Sequence, residues 1–312
     1  MADPTTGPVS GGVIGHRPVL DLSGLTAPEQ LAGIAGIEQV AVVVVPRSLA
    51  AAYTAIPTRK VATTVFVPDG TRPRVHTGTL TVGGDGLGSA DDALIVTGVL
   101  AVTGPVTGDL PALIHVTGTV LVPRGSEAAI GRVLEGTGSV VAYRWAETQE
   151  IRTHGGQLSI SGAGLTNPIG EPDDVLVLAG QTVVTGEVGG IGYRQVVVVG
   201  QAAFPAAAQE ALDPRLVAQG QVGWYVSDNP RTFVGGAPLA AEYLRLLEAP
   251  ASLIVTGNLD IADDVSAELL RDKVSDIVVF GNITAPDALV PTLQYLATQA
   301  FGSIRGKGGS TD

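Results

Sequence analysis

Two stretches of this chain repeat each other at a fixed distance, and that limits what it can fold into. Val75-His76-Thr77-Gly78-Thr79-Leu80-Thr81-Val82 matches Thr153-His154-Gly155-Gly156-Gln157-Leu158-Ser159-Ile160 at a constant offset of 78 residues. Gly84-Asp85-Gly86-Leu87 matches Gly162-Ala163-Gly164-Leu165 in the same way. After a four-residue insertion, Asp91-Asp92-Ala93-Leu94-Ile95-Val96-Thr97-Gly98 matches Asp173-Asp174-Val175-Leu176-Val177-Leu178-Ala179-Gly180. A finer step runs inside each copy, because Gly98, Gly118 and Gly138 are 20 apart, as are Gly180, Gly200 and Gly220. This is a super-repeat of about 80 residues made of about four coils of about 20.

The C-terminal part carries a related period. Leu253-Ile254-Val255-Thr256-Gly257-Asn258 and Ile277-Val278-Val279-Phe280-Gly281-Asn282 place glycines 24 apart, each closing a β-branched run and followed by a helical segment. One such coil cannot bury its apolar face alone, so coils must stack. A second signature is a strand halted by proline and followed by a helix. It occurs at Pro46, Pro123, Pro205 and Pro286, spaced 77, 82 and 81 residues. Proline fits the first helical turn and cannot continue a central strand.

The expected fold is a repeat solenoid: a right-handed parallel β-solenoid, α/β and leucine-rich-repeat-like in part, with helices on one side and capping the ends. Its coils of about 20–24 residues group into super-repeats of about 80. The chain reads as a flexible tail (1–18), one elongated domain (19–304) and a polar tail (305–312). The super-repeats span 19–73, 74–151, 152–232 and 233–304. Thr26 and Glu29 form a capping-box pattern that predicts an N-terminal helix over Pro28–Ile37 covering the open end of the stack. A last helix over Pro291–Gln299 and a strand over Phe301–Ile304 would close the far end.

Composition agrees with thin, regular layers. The hydrophobic share is 45% but aromatics supply only 4%, and there are 42 glycines. The absence of cysteine excludes disulfides, thiolate catalysis and cysteine-based metal sites. A formal charge of −12 argues against nucleic acid or an anionic membrane as partner. Met1–Arg17 lacks the basic and apolar regions of a signal peptide, and apolar runs such as Gln39–Pro46 are too short to span a bilayer, so a soluble cytoplasmic protein is expected.

No cluster reads as a catalytic, cofactor or metal site. His76 and His154 fall at equivalent places in the duplicated unit, but equivalent places lie several coils apart and would not converge on one ion. The pairs Asp91/Asp92, Asp173/Asp174 and Asp263/Asp264 suit turns and caps better than an acidic sugar-cleaving groove, since two precede a strand and the third follows one. Gly84–Ser89 lacks the third glycine of a dinucleotide fingerprint, and Val188–Tyr193 lacks the Lys-Ser/Thr of a phosphate loop. The Thr-Gly pairs at Thr97, Thr103, Thr107, Thr117, Thr185 and Thr256 are too irregular for an ice- or polymer-binding ladder. Trp145 and Trp224 stand at nearly equivalent places, either lining a junction or plugging irregular coils.

The glycine- and valine-rich texture of part of the chain resembles that of polymer-forming bacterial β-helical cytoskeletal proteins, from which the added helices depart. The resemblance implies self-assembly. The expected function is therefore a non-enzymatic structural or interaction scaffold, partnered by itself or by other proteins. Two alternatives remain: a carbohydrate-active β-helix enzyme with an acidic groove, and a small-ligand module with a polar pocket where super-repeats meet.

Overall fold

The computed structural model describes residues 12–136, 138–236 and 238–308. The chain forms several mostly parallel β-sheets, 49% strand against 18% helix, and none of the described sheets closes on itself. It divides into two compact units, Met1–Glu147 and Thr148–Asp312.

The first unit holds two sheets. Strands β1 (Gly12–Asp21), β2 (Ile34–Pro46) and β3 (Thr58–Val67) pair in sequence order. Pro46 ends β2, and the chain turns through Arg47–Leu49 into the short helix α1 (Ala50–Thr54). The second sheet stacks β4 (Arg72–Val82), β5 (Asp92–Val102) and β6 (Leu113–Pro123), again in order. After Pro123 comes helix α2 (Glu127–Gly131), and then β7 (Leu134–Glu135) and β8 (Ser139–Tyr143) both pair with β6. Alternation along β5 and β6 splits their side chains between two cores. Leu94, Val96, Leu100 and Val102 pack with Ile130 of α2, whereas Ala93, Ile95 and Leu113 pack on Val42, Val44, Val65 and Val67 of the first sheet.

The second unit repeats this plan. Strands β9 (Ile151–Ser161), β10 (Val175–Thr185) and β11 (Gln195–Pro205) stack in order. Pro205 leads to helix α3 (Gln209–Leu212), then β12 (Leu216–Ala218) and β13 (Gln221–Tyr225) pair with β11. The remaining strands form two smaller sheets. One orders β14 (Pro230–Phe233), β15 (Ala251–Val255), β17 (Val274–Val279) and β19 (Ala297–Ala300). The other orders β16 (Asn258–Asp260), β18 (Asn282–Ala285) and β20 (Ser303–Gly306). Helices α4 (Ala241–Arg245), α5 (Ala267–Lys273) and α6 (Val290–Leu296) alternate with these strands, and Leu244, Leu270 and Leu293 share one core with Leu253, Ile277 and Ile283. Val183, Ala203 and Tyr225 pack face to face on Ile254, Val278 and Phe280.

The N-terminal helix expected over Pro28–Ile37 is absent. Only Pro28–Gln30 turns, and β2 begins at Ile34. The reciprocal cap is made by Gln30 rather than Glu29: its Oε1 accepts from the Thr26 and Ala27 amides at 2.7 and 3.0 Å. Ile34, Ile37 and Val40 mimic a helical stripe, but pairing with strands on both sides decides the outcome. The tails are shorter than expected, since β1 starts at Gly12 and β20 runs to Gly306; residues 1–11 and 309–312 lie outside the described residues. Strands rather than helices therefore stand first and last among the described elements.

Candidate interaction surface

One row of residues organises each sheet. Gly78, Gly98 and Gly118 sit opposite one another on β4, β5 and β6; Gly156, Gly180 and Gly200 do so on β9, β10 and β11. At Gly98 and Gly118 φ is +136° and +141°, a conformation closed to ordinary side chains. Space forbids them as well. A Cβ on Gly98, Gly118, Gly180, Gly200 or Gly220 would lie under 3.0 Å from the carbonyl oxygen of the glycine one coil earlier. Gly281 and Gly302 stand in the same relation to Gly257 and Gly281, and Gly257 to Val234. The first rungs differ, because nothing lies within 4 Å of a Cβ built on Gly78 or Gly156.

The residue after each glycine forms a polar row. Gln157, Gln181, Gln201 and Gln221 are in register; Gln157 Nε2 donates to Gln181 Oε1 at 3.0 Å, and Gln201 Nε2 to Gln221 Oε1 at 3.2 Å. Gln181 Nε2 turns instead to the Thr256 carbonyl at 3.3 Å, tying β10 to the end of β15. In the last sheet Asn282 Nδ2 donates to Asn258 Oδ1 at 3.0 Å, and Ser303 Oγ donates to Asn282 Oδ1 at 2.7 Å. Before the glycines, Phe280 and Phe301 stack in parallel with centroids 5.3 Å apart, and Phe301 remains 42% exposed. The sequence carries the signal for these rows in its four Gly-Gln and two Gly-Asn pairs.

The residues singled out from sequence are kept apart. His76 and His154 lie at matching places on β4 and β9, which belong to different units; His76 Nε2 is 3.1 Å from the Thr79 carbonyl oxygen. No group of His, Asp or Glu that could hold a metal forms among the described residues. Asp92 accepts from Ser89 N and Oγ at 2.9 and 3.1 Å and pairs with Arg72 at 3.1 Å. Those hydrogen bonds hold its carboxyl below the usual range. Its counterpart Asp174 is buried: burial pushes its pKa up, but bonds from Asn167, Glu150 and Glu171 and the charge of Arg152 outweigh that and lower it. Asp263 and Asp264 accept from Lys307 Nζ and Ala241 N at 2.9 and 3.1 Å. The Gly84 and Gly192 loops are close backbone crossings, where a Cβ would strike the carbonyls of Pro105 and Thr166.

Thr77, Thr97 and Thr117 do fall in one row, more regular than the Thr-Gly spacing suggests, but Thr97 and Thr117 are half-buried. The two tryptophans are not equivalent. Tyr143 and Tyr225, paired with Pro123 and Pro205, occupy the matching places; their hydroxyls donate to Val102 O and Val184 O at 2.7 and 2.6 Å. Burial raises both phenols, that of Tyr225 to about 12. Trp224 packs on Phe204 at 5.6 Å, while Trp145 is partly exposed.

Sequence reasoning missed Asp276, a carboxylic acid buried at β17 with 1% exposure. Ser252 Oγ donates to its Oδ1, and the Val226 amide does so at 3.5 Å. Oδ2 has no partner, and burial raises the pKa.

Two clefts lie where super-repeats meet. One of about 450 Å³ in the first unit is lined by Ser23, Thr26, Ser48, Asp69, Thr71 and Arg72. The other, about 210 Å³ in the second unit, lies between Gln157, Ser159 and Gln181 on one side and Thr232, Val234 and Thr256 on the other. No helix among the described residues is long and apolar enough to cross a membrane. Comparison of the chain with protein-family models, with curated proteins and with solved structures finds no match.

Proposed function

We propose that the chain is a cytoplasmic structural scaffold that assembles with copies of itself, each sheet and its helix forming a short stretch of right-handed β-solenoid. One observation carries this reading: the first rungs at Gly78 and Gly156 are built like interior rungs. Glycine stands there with φ of +98° and +81°, and the space filled one coil later by a carbonyl oxygen is empty. Strand edges present unpaired amides and carbonyls that pair readily with another chain. Static light scattering with negative-stain imaging tests it: rings, sheets or filaments are expected, and a particle of 31.6 kDa at every concentration overturns self-assembly.

A second reading is a small-ligand module, favoured by the first cleft, where hydroxyls of Ser23, Thr26 and Ser48 surround Asp69 and Arg72. Chemical-shift changes confined to these residues on addition of a polyol would support it.

A further inference from the structure

Resting on the self-assembly reading, we infer that the last rung of the second unit, on β19 and β20, receives strand β9 of a second copy in parallel, head to tail. Two of the four sheet edges in this unit are closed. At β13 the Trp224 amide donates to Gln299 Oε1 at 2.8 Å and the Val226 amide to Asp276, so side chains from the neighbouring sheet already cap that edge. Beside β14 the rung residue is Val234, and by the geometry of the glycines above it its Cβ fills the place of any preceding carbonyl. The edges left are β9 and the last rung.

These two fit each other. Setting Gly156 over Gly302 brings the Gly302 carbonyl into the empty Cβ space of Gly156. It also sets Gln157 beside Ser303, Leu158 beside Ile304, and the open face of Phe301 against Gly155. Gln157 gives one amide hydrogen to Gln181, so the other can reach Ser303 Oγ, which donates its own hydrogen to Asn282. The amide row then runs unbroken from one copy to the next. His154, Gly155, Gly156 and Gln157 are exposed. Because the two surfaces differ, the contact is heterologous and propagates into a filament or closes into a ring.

The chain has no cysteine, so single cysteines report proximity cleanly. Full-length Ser303→Cys and Gln157→Cys proteins are mixed, treated with a short bismaleimide and run on a denaturing gel. A doubled-mass band in the mixture, absent from either protein alone, is expected. A band from Ser303→Cys alone would overturn the head-to-tail pairing. So would no band from the mixture while light scattering still shows multimers, which leaves self-assembly standing through another surface. A wild-type particle fixed at 31.6 kDa overturns both. As a second variant, Gly156→Ala meets nothing within 4 Å in its own chain but blocks the incoming carbonyl. It should reduce multimers to single chains, with circular dichroism showing the fold retained.

Discussion

Asp174 and Asp276 are both 1% exposed or less, and they answer pH in opposite directions. Asp174 has its pKa lowered in the fold, so its contribution is present above the unfolded value near 4 and is lost as pH falls through the folded value. Asp174→Asn should cost about 1–3 kcal/mol at pH 7, by leaving the Glu150 and Glu171 amides short of an acceptor, and the gap to wild type should close in thermal melts below pH 4. Asp276 has its pKa raised, so the fold retains its proton longer than the unfolded chain does. Stability from this group is full below the unfolded value and drains away as pH rises towards the folded one. Asp276→Asn should therefore stabilise the protein by about 1 kcal/mol at pH 7, and the gain should vanish by pH 4.

At the scale of the strand, the corner row shows two solutions to one geometric demand. In the first sheet it is met without glycine: His16, Gln39 and Lys60 stand in successive strands with φ of +57°, +53° and +55°. Left-handed backbone costs an ordinary residue about 1–2 kcal/mol, so Gln39→Gly should leave stability unchanged or raise it by up to about 1 kcal/mol. Gly118→Ala should cost about 2–5 kcal/mol, since the methyl meets both a forbidden φ and the Gly98 carbonyl; urea titration of the two variants checks the contrast. The glycine rows were legible because their spacing leaves a periodic mark, and the prolines because they stop strands. The first sheet's corner was not, since three unrelated side chains share a backbone conformation that leaves no pattern in residue type. Ile34–Pro46 was misread in part because its partners, β1 and β3, lie outside any local window. Asp276 was hidden for a similar reason: its partners Ser252 and Val226 are 24 and 50 residues away.

Over the whole molecule, strands pair with others only one coil away in sequence, and the chain divides into two compact units. Stability in such an array is closer to a sum of neighbour terms than to one cooperative quantity. Urea unfolding followed by hydrogen exchange should accordingly show at least two separable steps, with the first and second units losing protection at different concentrations; a single coincident transition would contradict this. The glycine rows also govern how such a gene can change length. Gly156 to Gly180 takes 24 residues and Gly180 to Gly200 takes 20, yet the rungs stay level. Loops can gain or lose residues freely, whereas strands tolerate only whole turns. Growth or shrinkage of this molecule is thus quantised, one complete coil at a time.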